Sequence, residues 1–166
     1  MKIIIAFCFI VSFSSCKKEE KVVLQSEFVF AYTGMQNLST FKFTKDTVFV
    51  SHNYPSRIKG FFYLMNNDEK TKINEYINAV KHINYKKEYI NEYVEDGLDY
   101  QFEFLEHKKR IYVQNFESDE TKTINDFANY LINLSNRKEQ TEHSNLKIDF
   151  GNTVIFFRDS EPCLFE

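Results

Sequence analysis

Hydrophobic and polar residues alternate with a period near two through "EFVFAY" (Glu27 to Tyr32) and "TFKFTKDTVFVSH" (Thr40 to His52). Phe41, Phe43, Val48 and Val50 fall on one side of that alternation, which predicts strands with Lys45-Asp46 as a turn. "RIKGFFYLM" (Arg57 to Met65) predicts a third strand. The period then lengthens. Ile73, Tyr76, Ile77 and Val80 recur at i, i+3, i+4 and i+7, the stripe of an amphipathic helix. Asn67 is the expected N-cap, with Asp68 and Glu69 in the first turn, where carboxylates suit the helix dipole.

The design recurs 51 residues on. "DEKTKINEYINA" from Asp68 and "DETKTINDFANY" from Asp119 share five of twelve positions: Asp68/Asp119, Glu69/Glu120, Ile73/Ile124, Asn74/Asn125 and Asn78/Asn129. Asn67 aligns with Ser118, so a capping residue is expected ahead of both helices. Strands Asp99 to Leu105 and Arg110 to Asn115, joined across "EHKK", precede the second helix. That helix is expected from Asp119 to Asn136 with Ile124, Phe127, Leu131 and Leu134 inward. The pattern implies a ββα unit used twice. A polar link, Arg137 to Asn145, leads to a C-terminal strand pair, "LKIDF" and "TVIFF", with its turn at Asp149 to Asn152. Tyr85 to Asp96 is expected to form a loop or a short second helix, ended by Asp96-Gly97.

Two helices cannot cover both faces of about seven strands. The expected fold is therefore α+β: an antiparallel sheet with both amphipathic helices on one face. The other face would be left partly aromatic, to be closed by curvature or by the C-terminal hairpin, or else left as an apolar contact surface. A protein or glycan ligand would bind such an aromatic sheet face.

The first fifteen residues do not fit this scheme. Lys2 is followed by "IIIAFCFIV" (Ile3 to Val11), nine apolar residues without a charge. About 20 are needed to cross a bilayer, so the stretch matches the apolar region of a secretory signal. Ser12, Ser14 and Ser15 then lead to Cys16. Here the chain resembles bacterial lipoprotein precursors, whose box is an aliphatic residue, two small residues and an obligatory cysteine. It reads Phe13-Ser14-Ser15-Cys16, with Phe13 where Leu is usual. The resemblance implies cleavage between Ser15 and Cys16 and a diacylglycerol thioether on Cys16. A thiol suits that attachment because sulfur is the better nucleophile. Each buried methylene contributes about 0.8 kcal/mol, so two or three chains hold a protein at a lipid surface where one holds it marginally. Lys17 to Glu20 are hydrated spacer residues. Lys18-Glu19-Glu20 also resembles the acidic export signal of surface-displayed lipoproteins. The expected organisation is a signal peptide over 1–15, a lipidated tether over 16–21 and one domain over 22–166. The location is then the cell envelope, at the outer membrane and on its exposed side.

Composition narrows the function classes little. A content of 43% hydrophobic residues supports a sizeable core in a 166-residue chain. With only 4 Gly and 2 Pro, regular elements joined by short polar turns are expected. The net charge of −3 is spread out, and the longest basic run, "HKKR" (His107 to Arg110), reads as a solvated turn. A nucleic-acid partner would need clustered Lys and Arg, so none is expected.

Candidate chemistry is sparse. Cys163 is the lone thiol expected in a mature chain and reads as structural. His52, His82, His107 and His143 show no metal-ligand spacing, with His82 near a helix end and the others in turns or the link. No metal or cofactor is expected. "EDGLD" gathers Glu95, Asp96 and Asp99 around Gly97, which reads first as a turn and second as the carboxylates of a hydrolase. The leading expectation is a membrane-anchored binding or assembly module without catalytic residues. The alternatives are an immunity or inhibitor lipoprotein acting against a toxin or hydrolase, and an envelope hydrolase using the carboxylates near Asp96.

Overall fold

The computed structural model describes residues 21–34, 37–52, 59–94, 97–142 and 148–150. Among these the elements run β1 (Phe28–Gly34), β2 (Asn37–Phe43), β3 (Thr47–His52), β4 (Lys59–Leu64), α1 (Asn67–Lys81), β5 (Glu88–Ile90), β6 (Asp99–Phe104), β7 (Lys109–Gln114), α2 (Lys122–Arg137) and β8 (Thr141–Glu142). They build one eight-stranded sheet in the order β5-β7-β6-β1-β2-β3-β4-β8. Every pairing is antiparallel except β5 with β7. The fold is α+β, with both helices against one face.

Register explains which face that is. Directly opposed residues share a face, and side chains alternate along each strand. Phe28 opposes Phe43 and Phe104, and Phe30 opposes Phe41 and Phe102. Val48 and Val50 continue the row on β3, and Ile111 and Val113 on β7. All of these are buried. The helices supply the other half of the core through Ile73, Ile77, Val80, Ile124, Phe127, Leu131 and Leu134. Phe127 meets Phe28 and Phe102 with ring centroids 5.6 and 5.0 Å away, and Tyr76 of α1 stacks on it at 5.0 Å. Burial of one such ring stabilises by roughly 1.5–3 kcal/mol, so this aromatic layer holds helices to sheet.

The expected turn at Lys45-Asp46 is present, closed by Thr44 N–H to Thr47 O at 2.9 Å. Asp46 there meets Lys21 and the buried Lys70 of α1, both at 3.0 Å. These two cations hold its carboxyl below the usual range. Helix α1 begins one residue earlier than the sequence suggests. Asn66, not Asn67, is the N-cap, accepting from Glu69 N–H at 2.9 Å while Glu69 accepts from Asn66 N–H at 2.9 Å. This capping box satisfies two otherwise orphaned donors. Helix α2 begins later than expected. Asp119 and Glu120 belong to a turn closed by Ser118 and Thr121, and Thr121 caps without a side-chain bond.

The repeat is visible as two hairpin-plus-helix units, β3-β4-α1 and β6-β7-α2, with β1 and β2 between them in the sheet. Asn74 and Asn125 are matched in role. Asn74 accepts from Gln25 N–H and donates to Val23 O, both at 2.9 Å. Asn125 donates to Phe116 O at 3.2 Å and accepts from the Tyr100 hydroxyl.

Three expectations change. The stretch expected as a loop or short helix, Tyr85 to Asp96, is over its described part, 85–94, neither a plain loop nor a helix, because Glu88–Ile90 adds a parallel edge strand. Tyr89 fixes it there, donating its hydroxyl to Glu120 Oε1 at 2.7 Å and accepting from Lys86 N–H at 3.0 Å. The polar link after α2 contributes β8, which closes the far edge against β4. His52, expected in a turn, ends β3 and bridges Ser39 Oγ at 2.8 Å and Gln140 Oε1 at 3.1 Å. Residues 148–150 carry no strand, and the rest of the C-terminal pair lies outside the described residues.

Candidate functional site

The sheet face away from the helices differs between its two halves. On β3 and β4 it carries Phe49 opposite Phe62, followed by the exposed Leu64. Its centre holds the buried Val29, Ala31, Thr40 and Ser51. Lys42 leaves this face and donates to Asp149 O at 2.8 Å, so the 148–150 segment lies against it. On β6 and β7 the face is polar. Asp99, Gln101 and Glu103 oppose Gln114, Tyr112 and Arg110. Glu88 and Ile90 of β5 extend it beside Tyr112 and Gln114.

That polar half surrounds a cavity of about 500 Å³, within the range of small-molecule sites. Gln101 lies at its floor and is 0% exposed. Arginine can only donate, so the Gln101 atom that meets Arg110 Nη2 is the amide oxygen. The amide nitrogen then faces the other way, and it has no acceptor. A buried donor left unpaired costs about 1–3 kcal/mol, and this one is sealed beneath the cavity lining. Arg110, Tyr112 and Gln114 of β7 line it, with Glu88 and Ile90 of β5 beside them. Lys87 and Lys108 stand at the rim, and neither meets a carboxylate within 4 Å among the described residues.

Asp99 is next to this wall. Its Oδ2 accepts from the Tyr112 hydroxyl at 3.4 Å, while its Oδ1 is buried without a partner. Burial pushes its carboxyl above the usual value, and the Tyr112 hydroxyl opposes that rise. An acid with a raised folded-state pKa contributes most below its unfolded pKa, and that contribution is lost as pH rises through the folded value. Asp99→Asn should therefore raise stability at pH 7 and leave it unchanged near pH 3. Urea unfolding at the two pH values measures the difference.

The residues singled out by sequence are mostly not gathered here. Asp99 is at the site, but its companions Glu95 and Asp96 lie outside the described residues, as do Ser15, Cys16, Lys18, Glu19, Glu20, His143 and Cys163. A Cβ at Gly97 would overlap only the end of the Asn115 side chain, so a substitution there displaces that amide and no backbone. His82 is exposed at the end of α1, and His107 is exposed in the β6–β7 turn. Among the described residues no group of His, Cys, Asp and Glu could hold a metal ion. "HKKR" is only half a solvated turn. Lys109 is partly buried, donates to Ile83 O at 3.0 Å and sits over the Tyr85 ring at 5.4 Å, while Arg110 enters the cavity wall.

Sequence reasoning missed Gln101, Arg110 and Tyr112. Their signal was the polar half of an alternation already recognised: Asp99, Gln101 and Glu103 between Tyr100, Phe102 and Phe104, with Arg110, Tyr112 and Gln114 between Ile111 and Val113. What alternation lacked was the register that sets Gln101 against Arg110 and Tyr112.

The architecture defines a class: an α+β domain with an eight-stranded mixed sheet, two helices on one face and a polar cavity on the other. Comparison with protein-family models, with curated proteins and with solved structures finds no match to the chain. Among the described residues no helix is long and apolar enough to cross a membrane.

Proposed function

We propose that this chain is a lipid-anchored extracytoplasmic binding protein. Its anchor is an acylated Cys16, and its ligand sits in the cavity over Gln101. The observation that carries the binding part is the cavity of about 500 Å³ on the polar half of the sheet face, lined by Glu88, Ile90, Arg110, Tyr112 and Gln114. A few polar groups placed around a cavity supply orientation and specificity in ligand sites. The anchoring part rests on the apolar run from Ile3 to Val11 and the Ser14-Ser15-Cys16 box. Lys18, Glu19 and Glu20 direct the domain to the outer membrane and its exposed side.

Cys16→Ser tests the anchor. Cells fed a clickable palmitate analogue should label the wild-type protein, and the variant should lose the label and accumulate as uncut precursor. Unchanged labelling would refute the assignment.

A second reading draws on Asp99. A carboxyl raised by burial beside a cavity suits a general acid, the role that an envelope hydrolase using Asp99 and the neighbouring Asp96 would need. Reducing ends released from a bound saccharide, and lost in Asp99→Asn, are the result that selects it.

A further inference from the structure

We infer that the apolar half of the sheet face away from the helices, over β1 to β4, is the docking site of this chain's own segment Thr153 to Phe157, "TVIFF". Burial is the first observation. Both helices pack on the opposite face, and every described strand belongs to the one sheet. No described helix or strand therefore covers this face. Val29 and Ala31 lie on it and are nevertheless 0% exposed. Their neighbours flank them within the sheet: Lys42 and Glu103 beside Val29, Thr40 and Gln101 beside Ala31. Such neighbours stand about 4.8 Å to the side, whereas a covering layer packs about 10 Å above. A methyl group on an uncovered sheet face keeps some contact with water, so complete burial needs atoms over it. Thr33, Ser51 and Phe62 of the same face each have an interaction besides their strand pairing, which a covering segment accounts for.

The path of the chain identifies the cover. Lys42 leaves this face to donate to Asp149 O at 2.8 Å, which brings residue 149 to it. Thr153 follows four residues on, a reach of up to about 14 Å when extended. With strands about 4.8 Å apart, the segment can lie over β1, β2, β3 or β4. Its composition suits the surface. Val154, Ile155, Phe156 and Phe157 are four apolar residues in a row, and Phe49, Phe62 and the exposed Leu64 offer apolar area on β3 and β4. A partner from outside the chain would have to compete with a segment tethered a few residues away, whose effective concentration is in the millimolar range. The cavity over Gln101 lies beyond this half, on β5, β6 and β7, so the docking and the ligand site stand or fall separately.

The test is NMR on the purified full chain in detergent, with Ala, Val, Ile and Leu methyls and Phe rings labelled. The Val29 and Ala31 methyls should show NOEs to protons of residues 153–157, within one molecule. A mixture of labelled and unlabelled chains tells the occupants apart. NOEs seen only between molecules mean that a second copy covers the face, and they overturn the assignment. NOEs to another segment, to detergent, or to nothing beyond the flanking strands overturn it as well. Two double variants give an independent readout. Val154→Asp with Phe156→Asp charges one side of the segment, and Ile155→Asp with Phe157→Asp charges the other. At least one pair should lower the melting temperature by about 5 °C or more, because a charge cannot seat on the apolar face. If both pairs melt like the wild type, the segment does not dock there.

Discussion

Replacing Phe127 by alanine is expected to destabilise the domain by about 3–5 kcal/mol, the range for deleting a buried ring from a packed core. Phe127 is 0% exposed. It is the point where three elements meet: Phe28 of β1, Phe102 of β6 and Tyr76 of α1 all pack against its ring. Phe28 and Phe102 belong to a hydrogen-bonded sheet and cannot collapse into the space, so most of the cavity would persist. Tyr76 would lose the face on which it stacks, loosening α1 from α2. At roughly 3 °C per kcal/mol for a domain of this size, the melting temperature should drop by about 10 °C or more. Urea unfolding monitored by circular dichroism checks this. Phe127→Leu, which refills much of the volume, should recover over half of the loss. A Phe127→Ala protein within 1 kcal/mol of wild type would mean that the aromatic layer is not the seam between helices and sheet.

Asn74→Ala is expected to cost about 2–3 kcal/mol by a different route. Its amide closes two backbone bonds at once, to Gln25 N–H and Val23 O, both at 2.9 Å. Each such bond contributes about 0.5–1.5 kcal/mol net, and a group left buried without a partner costs more. The bonds clasp the lead-in to β1, which carries the buried Leu24 into the core. Limited proteolysis should show faster cleavage near residues 22–26 in the variant. Asn78→Ala is the control. Asn78 also recurs at the 51-residue shift, but it is exposed, and its loss should stay within about 0.5 kcal/mol. Equal effects at the two asparagines would rule out the clasp.

These two residues also show how far the chain could be read without coordinates. Phe127 was legible because a helix stripe repeats every three to four residues, and nothing but burial explains a Phe on it. Asn74 was legible only as a repeated letter. Its partners are backbone groups 49 and 51 residues away, and no local pattern encodes a bond to a main-chain atom. The same division separates the site residues. Asp99 stood out as one of three clustered carboxylates. Gln101 stood among residues of a strand whose polar side looked like ordinary solvent-facing surface. Its burial came from the neighbours on either side, β1 and β7.

The helix starts failed in an instructive way. Asn66 and Asn67 are adjacent, and either could cap. The choice fell to Glu69, whose carboxylate returns to Asn66 N–H and also pairs with Lys138 at 2.6 Å. At the second helix the aligned Asp119 and Glu120 do not repeat that box. Glu120 is drawn to the Tyr89 hydroxyl instead, which leaves the helix to begin after Thr121.

What the amino-acid order settled alone was the periodic part: the strands β1 to β4, β6 and β7, the helices α1 and α2, the apolar side of each, and that the class is α+β. Those properties are local, because alternation and the 3.6-residue stripe act within a few neighbours. The tertiary structure decided the order of strands, the parallel edge made by β5, the closing strand β8 and the cavity over Gln101. These depend on register between segments far apart in sequence. Only when β6 and β7 pair does a glutamine among polar neighbours become fully buried and bonded to Arg110.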